Sequence, residues 1–159
     1  MLLDRGSINN RQIFYCDIGN DFNEIESFPS KNWLLFVIAD QDQLGRLYSF
    51  AEKCLDRGVL YICGAGEACS EIDDAFDFAI VDGKLASLNR DLTQDDFRDS
   101  PMTTWHDDFD EGFWFSVTTA YHEEQLIDKV IVANLTEKNY KFRIKELVAK
   151  IQAGWLPPD

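Results

Sequence analysis

Residues 32–66 read NWLLFVIADQDQLGRLYSFAEKCLDRGVLYICGAG, and this stretch decides the fold. Trp33–Ala39 is an unbroken run of seven apolar residues, the pattern of a strand covered by helices on both faces. Asp40 follows, with Gln43 three residues later. That spacing suits a capping box, so a helix is expected to begin near Gln41. Leu44, Leu47, Tyr48, Ala51, Cys54 and Leu55 then fall on one helical stripe, and Gly58 stands where a helix would end. Val59–Cys63 is a second apolar run, and Gly64-Ala65-Gly66 turns the chain. Strand, helix and strand in that order imply parallel pairing.

Working outward, residues 1–11 are polar and expected to fray, and Gln12–Ile18 reads as a short edge strand. After residue 66 a helix carries Ala68, Ile72, Ala75 and Phe76 on one face, and Phe78–Val81 reads as a further strand closed by Asp82-Gly83. Lys84–Pro101 is long, polar and acidic, an expected loop excursion. Met102–Thr104 reads as the end of a strand. A helix is expected from about Asp107 to Tyr121, with Phe109, Phe113 and Val117 inward and acids crowding its first turn. Asp128–Leu135 is the last strand. Thr136 is expected to cap a final helix with Tyr140, Ile144, Leu147, Val148 and Ile151 on its stripe, ending at Gly154. Residues 155–159 form a tail in which Trp155 packs back. The whole reads as a single α/β domain over residues 1–159: a three-layer, Rossmann-like α/β/α sandwich with about four or five mainly parallel strands.

The chain of 159 residues is 45% hydrophobic, ample for a core. No apolar run approaches the length of a membrane span, and the N-terminus shows no secretion signal. The four cysteines, Cys16, Cys54, Cys63 and Cys69, form no CxxC pair. They read as reduced thiols of a cytoplasmic protein. Formal net charge is −14. Residues 71–124 hold fifteen acids and three bases, a net of −12, while residues 125–159 are net +2. Such a field repels nucleic acid and anionic membranes and favours a basic partner.

Ligands of open parallel sheets bind beyond the carboxyl ends of the strands. Those ends supply Asp40, Cys63, Gly64, Gly66, Asp82, the run Thr103-Thr104-Trp105-His106, Asn134 and Thr136. If a small ligand binds there, Asp40, Gly64, Gly66 and Thr103 are the expected contacts. However, GAGEAC has Cys69 where a dinucleotide fingerprint needs its third glycine, lacks the lysine of a P-loop, and places Glu67 against any phosphate. His106 beside hydroxyls and acids is a candidate general base, with Cys63 or Thr104 as nucleophile. No GxSxG, HExxH or DxDxDG pattern accompanies them, so no metal and no cofactor are expected. Asp95, Asp96, Phe97, Trp105, Asp107 and Asp108 combine aromatic side chains with an acidic rim, which suits a basic protein surface.

The element TTWHDDFDEGFWF at 103–115, following a buried αβ core, resembles a group of small bacterial α/β proteins of uncharacterised function. That resemblance implies the fold and transfers no activity. In size and acidity the chain is also similar in kind to bacterial immunity proteins, which neutralise toxins. Two functions are therefore expected to compete. One is a non-catalytic cytoplasmic binding protein for a basic partner such as a toxin. The other is a small enzyme or metabolite-binding protein using the strand-end cleft.

Overall fold

The apolar run at 33–39 becomes the middle of the sheet in a computed structural model that describes all 159 residues. In β3 (Trp33–Ile38) every side chain is fully buried. Trp33, Leu35 and Val37 enter one core, while Leu34, Phe36 and Ile38 enter the other, because successive strand side chains point to opposite faces. β6 (Lys129–Asn134) divides likewise, with Ile131 and Ala133 in the first core and Val130 and Val132 in the second. The first core is closed by α1 (Leu47–Asp56) and α2 (Cys69–Leu88), and the second by α3 (Phe109–Thr118) and α4 (Lys141–Gln152). The three-layer α/β architecture expected from the sequence is present.

The sheet has six strands, more than expected: β1 (Leu3–Ile8), β2 (Arg11–Asp17), β6, β3, β4 (Tyr61–Ala65) and β5 (Met102–Trp105), in that spatial order. All neighbours are parallel except β1, which runs antiparallel to β2. β1 is the added strand, where fraying was expected. Asn9 and Asn10 both adopt left-handed backbone, with φ of 52° and 63°. That is the conformation of a two-residue hairpin turn, and asparagine tolerates it. The hairpin moves β2 from the expected edge to the sheet interior.

The second correction concerns Phe78–Val81, which lies inside the twenty-residue helix α2 and forms no strand. Four apolar residues alone fit either state. Helical spacing decides it, because Ile72, Phe76 and Ala79 continue one buried face straight through the tetrapeptide. The loop excursion consequently shrinks. Lys84 to Leu88 belong to the helix, Asn89 closes it in left-handed conformation, and a 3-10 turn at Gln94–Phe97 follows.

Smaller shifts have local causes. The capping box at Asp40 and Gln43 forms as expected, but it opens a 3-10 turn at Gln41–Arg46 before α1. The tighter period rotates the apolar stripe, so Leu44 and Tyr48 face solvent and Phe50 is buried. α3 is shorter than the expected 107–121. α4 starts at Lys141, and Thr136 instead donates its hydroxyl to Asn134 Oδ1 at 2.7 Å. Trp155 packs back as expected, with Lys150 Nζ 4.0 Å from its ring centroid. No helix is long and apolar enough to cross a membrane.

Candidate functional site

β3 and β6 are neighbours, yet beyond their carboxyl ends the chain leaves toward opposite layers, from β3 to α1 and from β6 to α4. Such a switch point is where open α/β sheets form a ligand crevice. Here the chain's own side chains fill it. Lys138 Nζ lies 3.1 Å from Asp40 Oδ2 and 3.6 Å from Glu67 Oε1, and Asp40 first among these raises the lysine pKa. Buried Asn134 places its amide nitrogen 2.9 Å from Asp17 Oδ1, 3.1 Å from Tyr15 Oη and 2.7 Å from the Lys138 carbonyl. Its carbonyl accepts from the Thr136 amide at 3.0 Å. The Tyr15 hydroxyl donates to Asp17 at 2.6 Å, and burial, with that carboxylate, pushes its pKa far above the ordinary value.

The glycine loop serves packing. A Cβ on Gly66, whose φ is +91°, would lie 2.5 Å from the Ala39 carbonyl oxygen, and one on Gly64 would lie 2.7 Å from the Cys69 carbonyl. The two amides that follow the loop are spent inside the fold. Ala68 N–H donates to the Ala39 carbonyl at 3.0 Å, and Glu67 N–H approaches Asp40 Oδ1 at 3.4 Å. An internal carboxylate thus occupies the place a phosphate would take.

The three candidate catalytic residues do come together. Thr104 Oγ1 lies 3.8 Å from Cys63 Sγ and 3.1 Å from His106 Nε2. The thiol is fully buried, and burial pushes its pKa up to about 12. A nucleophilic cysteine needs the opposite, a stabilised and accessible thiolate. Burial also lowers the pKa of His106, whose ring sits against Phe115 with centroids 5.0 Å apart. Thr103 points to the other face of the sheet and donates to Asp77 Oδ1 at 2.7 Å, so it does not join Thr104. Asp82, expected at a strand end, is on α2, where Tyr48 donates to it at 2.6 Å and has its pKa pushed up to about 12.

The residues expected to bind a partner fall into two groups at opposite ends of β5, about 10 Å apart at roughly 3.3 Å per residue. Asp95, Asp96 and Phe97 lie in the 3-10 turn near its start. Phe97 lines a cavity of about 400 Å³ with Tyr61, Met102, Phe115 and Tyr121. Asp96 is engaged internally. Arg90 grips both its oxygens at 2.7 and 2.9 Å, and the Thr93 amide donates at 2.8 Å. These bonds, Arg90 first, hold the carboxyl well below its usual range. Trp105, Asp107 and Asp108 leave the far end of β5. Asp107 is exposed, whereas Asp108 caps α3 by accepting the Glu111 amide at 3.0 Å.

Sequence reasoning missed the outward side of α2. Phe78, Val81, Leu85 and Leu88 are all exposed there. Their 3-4-3 spacing was readable in the sequence, but assigning Phe78–Val81 to a strand hid it.

This geometry defines a six-stranded, mainly parallel α/β domain with a self-filled switch point and an acidic, partly apolar flank. The chain belongs to the family described as a domain of unknown function, DUF7684, whose model matches residues 13–151. No curated protein matches the chain.

Proposed function

We propose that this protein is a non-catalytic, acidic binding protein of the cytoplasm that engages a basic protein partner. A toxin of the kind immunity proteins neutralise is the specific case to test first, and the TTWH element at 103–106 would mark relatives of the same function. One observation carries the reading, the segregation of charge along the sheet. α2, the 91–99 segment and the turn after β5 gather the acids at the β5 end, while α4 brings its lysines and arginine to the β1 end. Of the fifteen carboxylates between 71 and 124, only Asp95, Asp96 and Asp110 pair with a base. Unpaired charge of one sign steers an oppositely charged partner and quickens its association. The alternative, a ligand or catalytic role at the strand ends, draws less support from a crevice closed by Lys138 and a protonated Cys63.

The test is capture of partners from the native host by the full chain, in low and in physiological salt, with wild type beside Asp74→Lys, Asp77→Lys, Asp107→Lys. Retention of a basic protein that weakens with salt and with charge reversal is the expected outcome. Retention indifferent to both would sink the reading.

A further inference from the structure

At 100° per residue, Cys69, Ile72, Phe76 and Ala79 of α2 share one direction, and all four are buried. Phe78, Val81, Leu85 and Leu88 lie on the opposite side of the same helix. Their exposures are 64%, 37%, 44% and 38%. A helix apolar on both sides belongs between two layers, yet α2 has only one. The 3-4-3 spacing is that of a helix–helix seam. One turn toward the N-terminus, the same outward face changes to carboxylates. Asp74 is exposed there without an ion pair, Glu71 stands beside it, and Asp77, also exposed and without an ion pair, lies at the flank where it accepts the Thr103 hydroxyl.

A second copy is a poor occupant. Antiparallel pairing of the stripe about its midpoint, residue 83, sets Asp82 against Asp82 and Lys84 against Lys84. Parallel pairing lays the acids at 71–77 on one another. Like charges held so close oppose association, and each copy already carries −14. A cation-bearing helix meets neither obstacle.

We propose that the outward face of α2 seats a cationic amphipathic helix of a partner protein. The partner's aliphatic residues cover Phe78, Val81, Leu85 and Leu88, and its lysines or arginines lie against Asp74 and Asp77. This rests on the reading of the acidic flank as a partner surface and names the place and the chemistry. The apolar seam supplies the buried area and the carboxylates fix the register, as in helix-in-groove recognition.

The experiment uses the full chain and three labelled synthetic peptides read by fluorescence anisotropy. The first carries leucines at 3-4-3 spacing and lysines clustered at one end. The second has the same composition in scrambled order. The third keeps the leucine pattern with glutamines replacing the lysines. The patterned cationic peptide is expected to bind at least tenfold more tightly than either control. Phe78→Ser with Leu85→Ser should remove that preference, with circular dichroism and melting unchanged because both side chains are exposed. If both cationic peptides bind equally and salt-dependently, the α2 seat is overturned while the acidic-flank reading stands. If the glutamine peptide binds as well as the cationic one, or no peptide binds, the charge reading fails as well. Dimerisation in sedimentation that the double variant abolishes overturns the proposal in favour of a second copy.

Discussion

The two edges of the sheet are finished in different ways. At the β1 edge the fold ties itself down, although most β1 side chains are not buried. α4 packs on the strand, Gln152 donates to the Ser7 carbonyl at 3.0 Å, and three of the four bases of α4 find acids: Arg143 meets Asp110 at 3.0 Å, Lys141 meets Asp17 at 3.7 Å and Lys150 meets Asp110 at 3.6 Å. At the β5 edge the strand has only four residues, Met102 and Trp105 are half-exposed, and most nearby carboxylates are unpaired. A short strand with charged surroundings discourages edge-to-edge pairing. The difference teaches that one edge is tied down by the fold's own contacts, while the other leaves most of its charge unpaired.

The contrast can be broken by mutation, and the largest effect belongs to the packed interior between the two edges. Phe113, fully buried against Phe36 with centroids 5.5 Å apart, should cost about 3–5 kcal/mol when changed to alanine. Urea unfolding measures it. A much smaller loss would mean the α3 layer is not truly packed. Next, Asn134→Ala leaves Thr136 N–H and Asp17 short of partners and should cost about 1–3 kcal/mol. An unchanged denaturation midpoint would show that the switch-point network contributes nothing.

Two pH tests follow. The folded pKa of His106 lies below its ordinary 6.5, so the unfolded chain binds the proton better. Stability should therefore fall as pH drops from 6.5 toward the lower folded value, and His106→Gln should flatten that slope in thermal melts. Asp73 goes the other way. Burial first, then Asp77, raises its pKa above 3.8, and its Oδ1 is buried without a hydrogen-bond partner. Its penalty sets in as pH rises from 3.8 through the folded pKa, so Asp73→Asn should melt higher than wild type at neutral pH and equally near pH 3. The smallest effect belongs to the exposed face of α2. Leu85→Ser should change stability by no more than about 0.5 kcal/mol. A loss comparable to that of Phe113→Ala would erase the distinction between the packed interior and the exposed face of α2.

Much of this was legible in the chain. Trp33–Ala39 announced a strand buried on both faces, and the stripe of Ile144, Leu147, Val148 and Ile151 announced α4, because both carry one unmixed period. Where two periods competed, the reading failed. Phe78–Val81 is apolar at every position and so carried no local signal. Only its register with Ile72 and Phe76 identified the helix, and with it the outward seam. The hairpin at Asn9-Asn10 was missed because β1 exposes most of its side chains and lacks an alternating pattern. At the site, Asp40, Asn134 and Gly66 were placed correctly by the strand-end rule. That Lys138 closes the crevice was unreadable, because the residue lies in a loop and its reach depends on three-dimensional placement.

The position of β6 has a further consequence, for the order of folding. This strand, from the last quarter of the chain, lies between β2 and β3, pairing Asp17 with Asn134 and Ile38 with Asn134. Until residue 134 has been synthesised, β2 and β3 each present an open, apolar edge, and neither can complete its ladder. Such long-range parallel closure is slow. A nascent chain held short of that point, or truncated before it, is the form most exposed to aggregation and most in need of a chaperone.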